Sequence, residues 1–202
     1  MNYTFIHPTK TGGTACEIYF EKYYSDYIKG KGHFTQCTND NNPIIIIRDV
    51  IERFISMYKY WKYGPIDTIF KKNNDELEKN KKYNINDFIT MIKNNDTQQL
   101  FNKTTWDKHF FQQHYWINNT EYKNIIIIKY DKNLNEKINK LITLIHIPNK
   151  NIPLPIINTT KENDENIILT NENFTFIKNY FKDDYDFIEK INNNPELFKL
   201  VL

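Results

Sequence analysis

The chain has 202 residues, of which 40% are hydrophobic and 15% aromatic, enough for one α/β domain with a real core and too much for disorder. Its 27 basic and 25 acidic residues leave a net charge of +2 without a long basic block, which excludes charge-driven, non-specific nucleic-acid binding. Cys16 and Cys37 form neither a disulfide framework nor a metal-binding spacing, and the longest apolar runs, Ile44–Ile47 and Ile125–Ile128, are too short for a transmembrane segment. A reduced compartment fits this cysteine usage. The opening residues, Met1 to Ile6, show no basic stretch followed by an apolar one, so the expectation is a cytoplasmic protein or one whose anchor is missing from this chain.

Residues Tyr3 to His7 alternate and favour β structure until Pro8 ends them, which predicts a first strand. The loop Thr9–Gly13 follows, and then a helix over Thr14 to Lys29 with apolar positions at Ala15, Ile18, Tyr19 and Tyr23. Thr14 and Glu17 have capping-box spacing at its start. Gly32 to Cys37 reads as a short strand or an extended loop. Past Pro43, the β-branched run Ile44–Ile47 reads as a fully buried parallel strand. Asp49 and Glu52 have capping-box spacing too, and open a helix that reaches about Trp61 and is broken by Gly64-Pro65. Its expected core stripe is Ile51, Phe54, Ile55 and Tyr58, with Glu52, Arg53, Ser56 and Lys59 on the other side.

Lys71 to Lys82 is charged and Asn-rich, a solvated loop or frayed helix. Helices are predicted over Ile85 to Ile92, Trp106 to Ile117 and Leu134 to Ile145, and a buried strand over Ile125 to Tyr130. Prolines keep Ile152–Pro155 extended. Helices over Asn171 to Phe181 and Asp184 to Ile191 close the chain, which shows no repeat and no linker, so residues 1–202 are expected to form a single domain. Strand alternating with helix predicts an α/β fold with a central parallel sheet flanked by helices. Ligands of such sheets bind beyond the carboxyl ends of the strands, which directs attention to the segments after Ile6 and Ile47.

The first of these, His7-Pro8-Thr9-Lys10-Thr11-Gly12-Gly13-Thr14, is a glycine-containing turn into a helix N-terminus. Converging N–H groups, Lys10 and the hydroxyls of Thr11 and Thr14 suit an anion, although an ordinary strand-to-helix turn carries the same glycines. In the second, Arg48 stands at the end of a buried strand, where a charge needs a partner. Arg48 and Ser56 lie eight positions apart, within reach of one phosphate. A structural pairing of Arg48 with an Asp or Glu explains the charge equally well.

Taken together, HPTKTGGT at His7–Thr14 and RDVIERFISMY at Arg48–Tyr58 resemble the sulfotransferases that use 3′-phosphoadenosine-5′-phosphosulfate (PAPS), in particular the glycan O-sulfotransferases. In that family a His-x-Pro-Lys-Thr-Gly-Gly-Thr-like loop holds the 5′-phosphosulfate. A later Arg-Asp-Pro-x-x-Arg-x-x-Ser-x-Tyr segment holds the 3′-phosphate. The strand and turn Ile125–Leu134 resemble the family's Tyr-Glu-x-Leu-like turn, and Leu154–Lys161 and Tyr180–Phe187 match more loosely. Departures are Pro8 one place early, Val50 in place of a proline, and His109–Gln113 without the proline of the family's His-aromatic-x-Pro-Gln segment.

The resemblance implies a three-layer fold like that of P-loop NTPases, with no metal required. It implies that Thr9, Lys10, Thr11, Gly12, Gly13 and Thr14 bind the phosphosulfate, with Lys10 stabilising the leaving 5′-phosphate. Arg48 and Ser56 would grip the 3′-phosphate, and Lys161 would close over the nucleotide unless it is simply a surface lysine. His33 stands where related enzymes place a catalytic histidine, and an imidazole suits proton uptake near neutral pH. Glu17 is the alternative base, unless it only caps a helix. His7 is expected to pack under the pocket. His109 and His114 either line the acceptor cleft or simply pack, and Trp61, Trp106 and Trp116 either stack on a sugar or adenine ring or, for most of them, pack in the core. The expected partner is an acceptor glycan or a small hydroxyl compound, with phenols and peptide tyrosines behind it. Two rival readings are an inactive module that binds 3′-phosphoadenosine-5′-phosphate (PAP), another nucleotide or a glycan, and a P-loop kinase, for which the Gly-Lys-Ser/Thr ending is missing.

Overall fold

Isoleucine runs build the sheet of the computed structural model, which describes residues 2–33, 35–39, 42–64, 74–94, 109–117, 120–156 and 166–202. Strand β1 (Tyr3–Ile6) is followed by helix α1 (Gly13–Tyr24), then β2 (Ile28–Gly30) and β3 (Pro43–Ile47). Helices α2 (Val50–Tyr63), α3 (Asn74–Asn80) and α4 (Ile85–Lys93) precede β4 (Ile126–Lys129). Helices α5 (Leu134–Leu144), α6 (Asn171–Tyr180) and α7 (Lys182–Asn193) lead to the short β5 (Leu200–Val201). The five strands are all parallel, in the order β2-β1-β3-β4-β5. The chain therefore leaves β1 to one side for β2 and returns to its other side for β3. That reversal opens a crevice beyond the carboxyl ends of β1 and β3.

Alternation along the strands divides the core. Phe5, Ile44, Ile46, Ile126 and Ile128 face one way and pack with Cys16, Tyr19 and Phe20 of α1 and Ile138, Leu141 and Ile142 of α5. Ile6, Ile45, Ile47 and Ile127 face the other way, against Trp116 and against Phe187 and Ile191 of α7. The register Phe5↔Ile44↔Ile126 and Ile6↔Ile45↔Ile127 keeps each set on its face. With helices on both faces of a parallel sheet, the expected three-layer α/β architecture is present. A further core joins Phe54, Met57, Tyr58 and Trp61 of α2 to Phe88 and Ile89 of α4 and to Ile177 of α6.

Several expectations need correction. Helix α1 stops at Tyr24, not Lys29, because Ile28–Gly30 is drawn into the sheet beside Tyr3–Phe5. That second strand lies ahead of the 32–37 segment, whose described residues hold no strand and follow the extended-loop alternative. The inward positions of α1 are Cys16, Tyr19, Phe20 and Tyr24, whereas Ala15 and Ile18 are half-buried. Helix α1 begins at Gly13 with Gly12 as N-cap and no side-chain cap, so Thr14 and Glu17 do not form a capping box. On α2 the buried residues are Val50, Arg53, Phe54, Met57, Tyr58, Trp61 and Lys62, a stripe turned away from the expected one. Asp49 does cap α2 by accepting from Glu52 N–H at 3.0 Å, but the Glu52 carboxylate goes to Arg48 instead of closing the box. Of the helix expected over Trp106 to Ile117, the described part holds a 3-10 turn at Gln113–Ile117. Cys16 and Cys37 are both free and buried, and burial pushes each thiol up to about 12. No helix among the described residues is long and apolar enough to cross a membrane.

Candidate active site

The segment after β1 turns sharply because Lys10 (φ 64°) and Gly12 (φ 78°) both adopt left-handed backbone. A Cβ on Gly12 would lie 2.4 Å from Cε2 of Tyr130, and one on Gly13 would lie 2.0 Å from Cγ of His7. Only glycine lets the turn sit on these two rings. The turn is also tied internally, since the buried Thr11 hydroxyl donates to Pro8 C=O at 2.8 Å. The first-turn N–H groups of α1 have no capping side chain, which leaves positive potential at the mouth of the turn.

The segment after β3 also comes to Tyr130. The Arg48 guanidinium lies over that ring, 4.4 Å from its centroid, and its Nε donates to Glu52 Oε2 at 3.3 Å. Tyr130 follows β4, so three neighbouring strands deliver Gly12, Arg48 and Tyr130 to one place. Gln113 fixes the strand end: its buried amide accepts from Arg48 N–H and donates to Arg48 C=O, each at 2.8 Å. Arg48 is thus paired with a carboxylate, as the structural alternative required, while four-fifths of its side chain is covered and Glu52 stays mostly in solvent.

Helix α2 lies along the turn. Arg53 donates from Nε to Thr9 C=O at 2.9 Å and from Nη2 to the Thr9 hydroxyl at 3.3 Å. The same Nη2 reaches the C=O groups of His109, at 3.0 Å, and Phe111, at 2.9 Å. Two turns on, the Tyr60 ring carries Lys10 Nζ at 4.1 Å and stacks on His109 at 5.4 Å. Ser56 is half-buried and lies three residues after Arg53 and four before Tyr60, on the face they turn toward Thr9 and Lys10.

His33 stands beside the turn. Its ring meets that of His7 edge to face with centroids 5.8 Å apart, and its C=O accepts from Trp116 Nε1 at 3.2 Å. His7 is buried at the floor, as expected, and its Nε2 pairs with Glu17 Oε2 at 3.3 Å. Burial alone would raise the Glu17 carboxyl, but the His7 hydrogen bond and charge, the Gly32 N–H and the His33 charge outweigh it and hold Glu17 below its ordinary range.

Among the expected site residues, Thr9, Lys10, Thr11, Gly12, Gly13, Thr14, Arg48, Ser56 and His33 fall on segments that converge at the crevice, although the Thr11 hydroxyl is spent within the turn. Lys161 and Trp106 lie outside the described residues. Trp61 and Trp116 are buried core residues and present no free face. His114 packs on Phe187. Reading the sequence missed Arg53, Gln113 and Tyr130. Each carried a signal, because Gln113 falls at the Gln of the family's His-aromatic-x-Pro-Gln segment, Arg53 at the second Arg of its Arg-Asp-Pro-x-x-Arg segment and Tyr130 in its Tyr-Glu-x-Leu-like turn. The burial of Arg53, however, depends on partners distant in sequence. Among the described residues, no group of three or more His, Cys, Asp or Glu side chains is arranged to hold a metal ion.

Residues 17–191 match the profile described as Sulfotransferase family, and the chain belongs to that family. The matched span includes Arg48–Tyr58 and starts after the turn at His7–Thr14, which stands on its own geometry. No curated protein matched the chain.

Proposed function

We propose that this sulfotransferase takes the sulfuryl group from PAPS and places it on an acceptor hydroxyl, foremost that of a glycan, with residues 1–202 acting as one domain. The observation that carries this reading is the meeting of the Lys10–Thr14 turn, through Gly12, and of Arg48 at one ring, Tyr130, beyond the carboxyl ends of β1 and β3. A donor with a phosphosulfate at one end and a 3′-phosphate at the other needs two separate anion-binding groups joined by a rigid floor. The donor supplies a sulfuryl group held by an anhydride oxygen, the bond that transfer breaks.

The N–H groups of the turn and of the first turn of α1, with the Thr14 hydroxyl, bind the phosphosulfate. Lys10 neutralises the charge that gathers on the leaving phosphate oxygen. Arg48 bonds the 3′-phosphate through its planar fork, Ser56 adds a hydroxyl, and Lys161 belongs to the same nucleotide site by family resemblance. His33 takes the proton of the acceptor hydroxyl as the acceptor oxygen bonds to sulfur and the electron pair of the broken S–O bond leaves with the phosphate. His109 stacks on Tyr60 beside Lys10, and in this reading it lines the acceptor cleft.

The test is a transfer screen with labelled PAPS across glycans, phenols and tyrosine peptides. Label is expected on a glycan, and His33→Ala should lower turnover by about 100-fold or more while PAP still raises the melting temperature. PAP stabilisation without any labelled acceptor would favour a binding module, and phosphoryl transfer from ATP would favour a kinase. Wild-type turnover in His33→Ala would remove His33 from the chemistry.

A further inference from the structure

Behind His33 lies a carboxylate that the transfer scheme does not use. Glu17 Oε1 accepts from Gly32 N–H at 2.6 Å, and Oε2 meets His7 Nε2 at 3.3 Å. Gly32 immediately precedes His33, and His7 carries its ring edge to face with that of His33. One carboxylate therefore reaches both the residue that precedes His33 and the histidine whose ring meets that of His33. A helix cap is not its task, since neither oxygen returns to the N-terminus of α1.

The surrounding backbone makes room for this group. A Cβ on Gly30 would lie 2.6 Å from Glu17 Cγ and Oε1, and Gly13 leaves the corresponding space for His7. Gly32 takes φ 58°, which brings its N–H to the carboxylate. Trp116 then holds the far side of the turn through His33 C=O. The Glu17 side chain is 21% exposed, and the charged groups acting on it are His7, at the end of β1, and His33, after β2.

We propose that Glu17 is a positioning residue for His33, fixing its turn through Gly32 and favouring the protonated ring that forms when His33 takes the acceptor's proton. Glu17 keeps its own charge throughout and accepts no proton; that proton resides on the imidazole until product leaves. The inference rests on His33 as the base, and its test is chosen to separate the two.

Glu17→Gln preserves an oxygen for Gly32 and removes the charge. NMR titration of the histidine rings in the full chain should move the His33 midpoint down by about half a pH unit or more. With PAPS and the preferred acceptor, kcat should fall about tenfold with the donor KM unchanged, and the acidic limb of the kcat profile should move to lower pH with the NMR midpoint. An unmoved His33 midpoint and an unmoved limb overturn the proposal, whatever happens to kcat. If Glu17→Gln does not fold, Glu17→Asp serves, since it keeps the charge and shortens the reach. The His33 midpoint should then hold while kcat falls, and a wild-type kcat overturns the positioning role. Absence of turnover in the wild type defeats the transferase reading instead, and the His33 titration alone then decides whether Glu17 acts on that ring.

Discussion

Arg53 is 2% exposed, and burial lowers its pKa to about 10 even with Asp184 opposing the shift. A guanidinium so placed persists because its N–H groups are satisfied, here by Thr9, His109 and Phe111. Asp184 adds a carboxylate oxygen 3.8 Å from Nη1, and burial raises the Asp184 pKa against the pull of Arg53. Arg53 thereby ties α2 to the Lys10 turn and to the 109–111 segment. Arg53→Ala strands three carbonyls and a buried carboxylate, so it should cost about 3–5 kcal/mol, read from the urea midpoint. Glu17 yields a prediction of a different kind. Its native pKa lies below the ordinary 4.5, so the unfolded chain binds the proton first as pH falls. The stabilisation is complete above 4.5 and is lost as pH drops through the lowered value. Thermal melts of Glu17→Gln should therefore lose less stability than wild type across that acid window, and an equal acid slope would contradict the assignment.

Helix α4 shows how local signals settle an element. Asn84 accepts from Asn86 N–H at 2.8 Å and Asp87 N–H at 3.1 Å, while Asp87 Oδ2 accepts from Asn84 N–H at 2.9 Å. This closed capping box directs Ile85, Phe88, Ile89 and Ile92 into the core shared with α2. Asn84→Ala should cost about 1 kcal/mol, seen as a melting temperature lower by about 2–4 °C. The helix itself was legible from its periodicity. Elements fixed by distant partners were not: β2 exists because Ile28 pairs with Tyr3, and β5 because Leu200 pairs with Ile126. Two or three residues carry too short a pattern to announce a strand. The rotation of α2 was hidden for a related reason. Arg53 looked like a solvent residue by its charge, and only the carbonyls of Thr9, His109 and Phe111 make its burial tolerable.

At the scale of the molecule, the sheet order decides where chemistry can occur. The reversal between β2 and β3 on either side of β1 opens one crevice, and the two motif-bearing segments both empty into it. That much was readable in the sequence, because a strand, a glycine turn and a helix start are local, and because four successive isoleucines declare a buried strand. The floor of the crevice was not, since Tyr130 reaches Gly12 and Arg48 only when β4 lies beside β3. The proposed function depends on two anion-binding ends that both border the Tyr130 ring. Calorimetric affinities for PAP, AMP and ATP, with wild type and Arg48→Ala side by side, test it most directly. PAP should bind at least about tenfold tighter than AMP or ATP, a difference of about 1.4 kcal/mol that Arg48→Ala erases. ATP binding as tightly as PAP, or a preference for the 3′-phosphate that survives Arg48→Ala, would contradict it.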